Sequence, residues 1–188
     1  MKKQKKLWAL IVGGSTVGLI ASLIQTIERI NFALQPKIPL SCDLSAIFSC
    51  SNVFDAWQSR VFGFSNSLVC MIFFAITLGV AMAGLTGSRI SRIVRLGCQG
   101  SALFFLGFGA WYLWQSTFRI GFICIFCLFC YAAVIIMNWA WFRLNIQEFP
   151  PKIISSEKLQ KFIEQGGDVA FAIMWAMAIV AMLIIRFA

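Results

Sequence analysis

Residues 121–141 read GFICIFCLFCYAAVIIMNWAW. This stretch decides the fold. It is about as long and as apolar as a segment that crosses a bilayer, for which roughly 20 residues are needed. Near its start stand Cys124 and Cys127, a Cys-x-x-Cys pair. Thiols three residues apart share one face of a helix and are close enough to form a small disulfide. A helix N-terminus favours the thiolate, which is the reactive form. A dithiol at the mouth of a membrane span can exchange electrons with a molecule dissolved in lipid.

The rest of the composition agrees with a membrane setting. Of the 188 residues, 60% are hydrophobic, and the mean hydropathy is +0.85. Those values describe an embedded chain rather than a soluble domain. The net charge of +9 does not mark a nucleic-acid binder, because the basic residues fall between apolar runs, as topology signals do. There is no histidine, which removes imidazole acid–base chemistry and the commonest metal ligand. Seven cysteines are many for this length, and their depth and spacing must separate reactive thiols from small apolar packing residues.

Working outward, the spans are expected near residues 7–27, 66–85, 96–118, 121–141 and 168–187, in a single membrane domain. Lys2, Lys3, Lys5 and Lys6 place the start in the cytoplasm. The first apolar run exceeds a usual signal core and no small-x-small cleavage site follows, so it reads as a retained span. Residues 28–65 then form an outer loop, irregular at Pro36 and Pro39. Within it, Ser51 is expected to cap a short helix over Val53, Phe54, Trp57 and Val61, lying as a lid in the interface. Arg119-Ile120 reads as a very short outer turn. Arg89, Arg92 and Arg95 mark one inner turn, and Arg143, Lys152, Lys158 and Lys161 mark the other. Pro150-Pro151 breaks the chain there, and a short amphipathic helix is expected from Ser155-Ser156-Glu157 to Gly166-Gly167. Counting spans puts Cys42, Cys50, Cys124 and Cys127 on the same non-cytoplasmic side, where disulfides persist.

Each motif has an ordinary reading beside the functional one. Cys124 and Cys127 form a redox pair, or pack as core cysteines, or make half of a zinc site, which without histidine would need further cysteines. Cys42 and Cys50 alone suit a structural disulfide; beside a second pair at the same face they suit a relay, since exchange needs a thiolate to reach a disulfide sulfur directly. Cys70, Cys98 and Cys130 read as packing residues. Asn66 and Tyr131 sit at outer ends of spans, where they meet headgroups or donate hydrogen bonds to a quinone carbonyl. Phe54 is a candidate wall for a ring-shaped ligand.

In order, the chain carries Cys42, Cys50-Ser51-Asn52-Val53-Phe54, Phe62-Gly63, Ser65-Asn66-Ser67, Cys124-x-x-Cys127 and Tyr131. This succession resembles the vitamin K epoxide reductase family of membrane thiol oxidoreductases. The resemblance implies an all-α membrane protein, a four-helix bundle around a quinone of the ubiquinone or menaquinone type, with a fifth span added. It also implies roles: Cys127 faces the quinone, Cys124 pairs with Cys127 and exchanges with Cys50, and Cys42 takes electrons from a thioredoxin-fold partner. Asn66 and Tyr131 would hold the quinone oxygens. One departure is Ala56, where the family often has a serine. Many bacterial relatives carry a fused thioredoxin-like domain after the fifth span; with the sequence ending at Ala188, a separate partner is expected.

The expected function is therefore a disulfide-generating oxidoreductase of a bacterial cell membrane, acting on exported proteins. Reduction of vitamin K epoxide by the same thiols is the alternative within the family. A cysteine-based metal-handling or structural membrane protein is the alternative outside it.

Overall fold

The computed structural model describes residues 2–36, 38–45, 47–148 and 157–187. The chain is helical almost throughout. Five helices are long and apolar enough to cross a membrane: α1 (Lys2–Leu34), α3 (Asn66–Leu85), α4 (Arg92–Gln115), α5 (Ile125–Glu148) and α7 (Gly167–Phe187). Two short helices complete the described set, α2 (Cys50–Asp55) in the first loop and α6 (Glu157–Glu164) ahead of α7.

α1 is the central element, packing on α3 to one side and α5 to the other; α4 packs on α5, and α7 leans on α5 from outside. The contacts are those of close-packed apolar surfaces. Trp8 meets Trp141 edge to face at 5.4 Å between ring centroids, and Phe73 stacks on Phe105 at 4.4 Å. Ser15 donates to Thr77 at 3.3 Å, joining α1 to α3 with a polar contact inside the bundle. α7 is held by polar groups, because most of its surface is exposed. Arg143 pairs with Asp168, and the Trp139 indole donates to the same carboxylate at 2.8 Å.

Several boundaries differ from the sequence reading, each for a physical reason. The first span does not stop at residue 27. No breaker occurs before Pro36, so α1 runs for 33 residues, about 50 Å at the usual helical rise. That exceeds a hydrocarbon core of about 30 Å. Its last turns therefore project and support the loop. Glu28 accepts a hydrogen bond from Ser41, and Arg29 donates to the Phe54 carbonyl with its guanidinium 5.5 Å from the Phe54 ring centre.

The cap of α2 is Ser49, not Ser51. Ser49 is the residue with extended backbone at the helix entrance, and its side chain accepts from the Asn52 N–H. Ser51 lies inside the first turn and donates to Asp43 instead. α2 also ends sooner than expected, at Asp55, and a separate 3₁₀ turn, Trp57–Arg60, follows. Val53 and Phe54 are buried, whereas Trp57 and Val61 are exposed.

The span that opened the sequence analysis begins later than Gly121. α4 widens into a π-helical turn, Ser116–Ile120, in place of a two-residue turn at Arg119-Ile120. It stops at Gly121, whose φ of 82° suits glycine because no Cβ obstructs it. Phe122, Ile123 and Cys124 are then outside any helix. Phe48 and Ile123 form a parallel bridge: Ile123 N–H donates to Ile47 O at 2.9 Å, and Ser49 N–H donates to Ile123 O at 3.2 Å. Pro150-Pro151, Lys152 and Ser155-Ser156 lie outside the described residues.

Candidate functional site

The bridge at Ile123 delivers the thiols to one place. Cys42 and Cys50 form a disulfide. Cys124 and Cys127 are free thiols. The Cys50 sulfur lies 3.4 Å from that of Cys124. Cys124 immediately precedes α5, and Cys127 is in its first turn, with its N–H donating to the Cys124 carbonyl at 3.1 Å. The pair thus straddles the start of α5, with only Cys127 inside the helix.

The sulfurs occupy a second apolar core under the loop. Leu40, Cys42, Cys50, Val53, Phe54, Tyr112 and Cys124 are buried together there, with Phe122, Ile125, Phe126 and Cys127 packed against them. Cys42 is only 2% exposed and Cys50 is fully buried. Asp43 keeps the loop closed. It accepts from Leu40 N–H at 3.0 Å, Ser49 hydroxyl at 2.9 Å, Ser51 N–H at 3.1 Å and the Ser51 hydroxyl. Burial alone would raise the Asp43 pKa, but the bonds from Ser51, Leu40 and Ser49 outweigh it and hold the carboxyl below its ordinary range.

Below the thiols is a cavity among α1, α3, α4 and α5. Its apolar walls include the rings of Phe54, Phe74, Phe105 and Phe108; Asn66, Tyr112, Tyr131 and Cys127 supply polar or reactive groups. Asn66 donates through Nδ2 to Gln58 O at 2.7 Å, while its Oδ1 is buried without a partner. Tyr131 accepts a hydrogen bond at its hydroxyl from Trp175 of α7, at 2.8 Å. Room for the Tyr131 ring comes from Gly109, since a Cβ there would stand 2.4 Å from the ring.

The structure thus brings the seven expected site residues together. Cys42, Cys50 and Cys124 cluster, while Cys127, Phe54, Asn66 and Tyr131 line the adjoining cavity. Cys98 and Cys130 pack in the main core and Cys70 packs against it; Cys70 and Cys130 also stand on the cavity wall. Residues missed by the sequence reading are Gln25, Tyr112, Ser59 and Trp175. Gln25 donates to the Cys127 sulfur at 3.2 Å and approaches that of Cys124 at 3.8 Å. Ser59 is buried at the cavity wall and donates to Phe54 O at 2.9 Å, so the loop keeps a hydroxyl close to Ala56. A polar side chain within an apolar span was the available signal for Gln25 and Tyr112, because such groups are costly in lipid and mark function.

Membrane-length helices enclosing a disulfide, a dithiol and a lined cavity define a membrane oxidoreductase. The chain belongs to the vitamin K epoxide reductase family, whose sequence model matches residues 9–142. Comparison with curated proteins returns no match.

Proposed function

We propose that the chain passes electrons from a thioredoxin-fold dithiol, through Cys42–Cys50 and then Cys124–Cys127, to a quinone in the cavity, so that exported proteins acquire disulfides. The 3.4 Å approach of Cys50 to Cys124 carries this reading, because exchange requires sulfur to reach sulfur. The loop end faces the non-cytoplasmic side of a bacterial cell membrane; Lys5, Lys6, Arg89 and Arg92 lie at turns or termini toward the opposite end, as cytoplasmic anchors do.

The steps balance as two-electron transfers. The partner's dithiol closes to a disulfide while Cys42–Cys50 opens to two thiols. The Cys50 thiolate attacks the Cys124 sulfur of a Cys124–Cys127 disulfide, and Cys127 leaves as thiolate. Cys42 then attacks Cys50, which closes the loop disulfide and frees Cys124. The thiols of Cys124 and Cys127 give two electrons and two protons to the quinone, which departs as hydroquinone, and their disulfide re-forms. The bonding observed here, with Cys42–Cys50 closed and Cys124 and Cys127 free, corresponds to the stage before that last step. About 30 mV of potential difference is worth roughly 1.4 kcal/mol for such a couple, so an oxidising quinone gives the sequence its direction.

The cavity residues fit the substrate. Aromatic walls accept a flat ring, Tyr131 offers a phenol to a carbonyl oxygen, and the unpartnered Asn66 Oδ1 suits the hydroxyl of the hydroquinone product. Cys42 is buried in this conformation, so reaction with the partner requires the loop to open.

The test is quinone reduction by purified protein in nanodiscs. Cys127→Ala is expected to abolish it with any electron donor. Cys42→Ala is expected to abolish reduction driven by a thioredoxin-fold dithiol and to keep reduction driven by small dithiols. Full activity of both variants with the protein donor would refute the relay.

A further inference from the structure

Trp175 lies in α7, beyond the stretch of residues 9–142 that the family model covers. It sits well inside a 21-residue membrane-length helix, away from the interfacial ends where tryptophans usually anchor. An indole N–H at that depth needs a partner. It finds one at the Tyr131 oxygen, 2.8 Å away. The register of α7 supports the contact. Asp168 and Trp175 are seven residues apart, two turns along one face. Asp168 is fixed by Arg143 and Trp139 of α5, which directs Trp175 toward Tyr131 higher on the same antiparallel helix.

We infer that Trp175 is a positioning residue for the reaction in the cavity: its N–H occupies the phenol oxygen of Tyr131, leaving the phenol hydrogen to be donated to a bound quinone oxygen. A hydroxyl that accepts one hydrogen bond donates the next more strongly. Among the described residues the Tyr131 hydroxyl donates to no protein acceptor, and Tyr131 lines the cavity. α7 thereby takes part in the chemistry instead of serving only as an extra anchor. This rests on the proposed role of Tyr131 toward quinone.

The experiment measures quinone reduction with a short-chain quinone and a small dithiol in nanodiscs. For Trp175→Phe, kcat/KM for quinone is expected to fall about five-fold, the effect of one ordinary hydrogen bond, while thiol exchange between Cys50 and Cys124 without quinone keeps its rate. Trp175→His, which restores a ring N–H, is expected to recover most of the loss. On a Tyr131→Phe background, Trp175→Phe is expected to add nothing. Wild-type quinone kinetics in Trp175→Phe, or an equal loss on both backgrounds, would overturn the inference. Wild-type kinetics in Tyr131→Phe alone would instead remove the role of Tyr131 on which it stands. Should Trp175→Phe not fold, a benzothiophene analogue incorporated at position 175 removes only the N–H and gives the same contrast.

Discussion

Cys50 and Cys124, 74 positions apart in sequence, hold their sulfurs 3.4 Å from each other while Cys50 is still bonded to Cys42. Removing Cys42 leaves Cys50 as a thiol against Cys124. Under quinone, Cys42→Ser is therefore expected to accumulate a Cys50–Cys124 disulfide. Peptide mapping without reduction checks it. Recovery of Cys124 bonded only to Cys127 would mean that the approach is not used.

Gln25 supplies the amide nearest the Cys127 sulfur, at 3.2 Å. A donor to a thiolate is worth about 1.5–3 kcal/mol, more than a neutral bond. Gln25→Leu keeps the packing volume and loses the donor. Alkylation of Cys127 and the quinone half-reaction are expected to slow about ten-fold in the same variant. Unchanged alkylation kinetics would show that the amide does not support the thiolate.

Asp43 predicts how the loop responds to acid. Its pKa in the folded loop is held below the ordinary carboxylate value. The stabilisation is therefore complete above the unfolded-state pKa and is lost as pH falls through the folded-state pKa. Reduction of Cys42–Cys50 by a phosphine is expected to stay slow at neutral pH and to accelerate only in acid below the usual carboxylate range. Asp43→Asn is expected to be fast at neutral pH and flat across the acid range. A wild-type rate that rises near neutrality would point to another group.

Gly109 sets the place of Tyr131, because a Cβ there would meet the ring at 2.4 Å. Gly109→Ala forces the ring aside or opens the contact between α4 and α5. Overpacking of this kind costs about 1–3 kcal/mol. A lower melting temperature and a raised KM for quinone are both expected, measured on the same nanodisc sample. A variant with wild-type values in both would show that the ring relocates freely.

Much of this was legible from local sequence. Apolar run lengths give the five spans, and the Cys42, Cys50, Cys124 and Cys127 spacings expose the thiols because reactive sulfur pairs need particular separations. What was not legible depends on contacts across the fold. The start of α5 at Ile125 rather than Gly121 follows from the bridge between Ile123 and Phe48, and nothing within residues 121–141 encodes that pairing. Ser49 rather than Ser51 is the cap because the pairing with Ile123 takes the Ser49 N–H, so α2 begins at Cys50 and Ser51 falls inside its first turn. Trp175 carries no signal of its own within the apolar run of α7, and its N–H finds its partner only at Tyr131 of another helix.

The two backbone bonds at Ile123 divide the redox loop mechanically. Residues 47–49 are stitched to the start of α5, and Cys50 begins the helix that follows. While those stitches hold, any excursion that uncovers Cys42 is confined to the chain ahead of Ile47. In the proposed relay the shuttle would then be a short arm swinging from a fixed pivot, its tip visiting the outside while the sulfur at the pivot keeps its docking position. A cycle of that kind would loosen only a few residues, so the entropy released and recovered per electron pair would stay small.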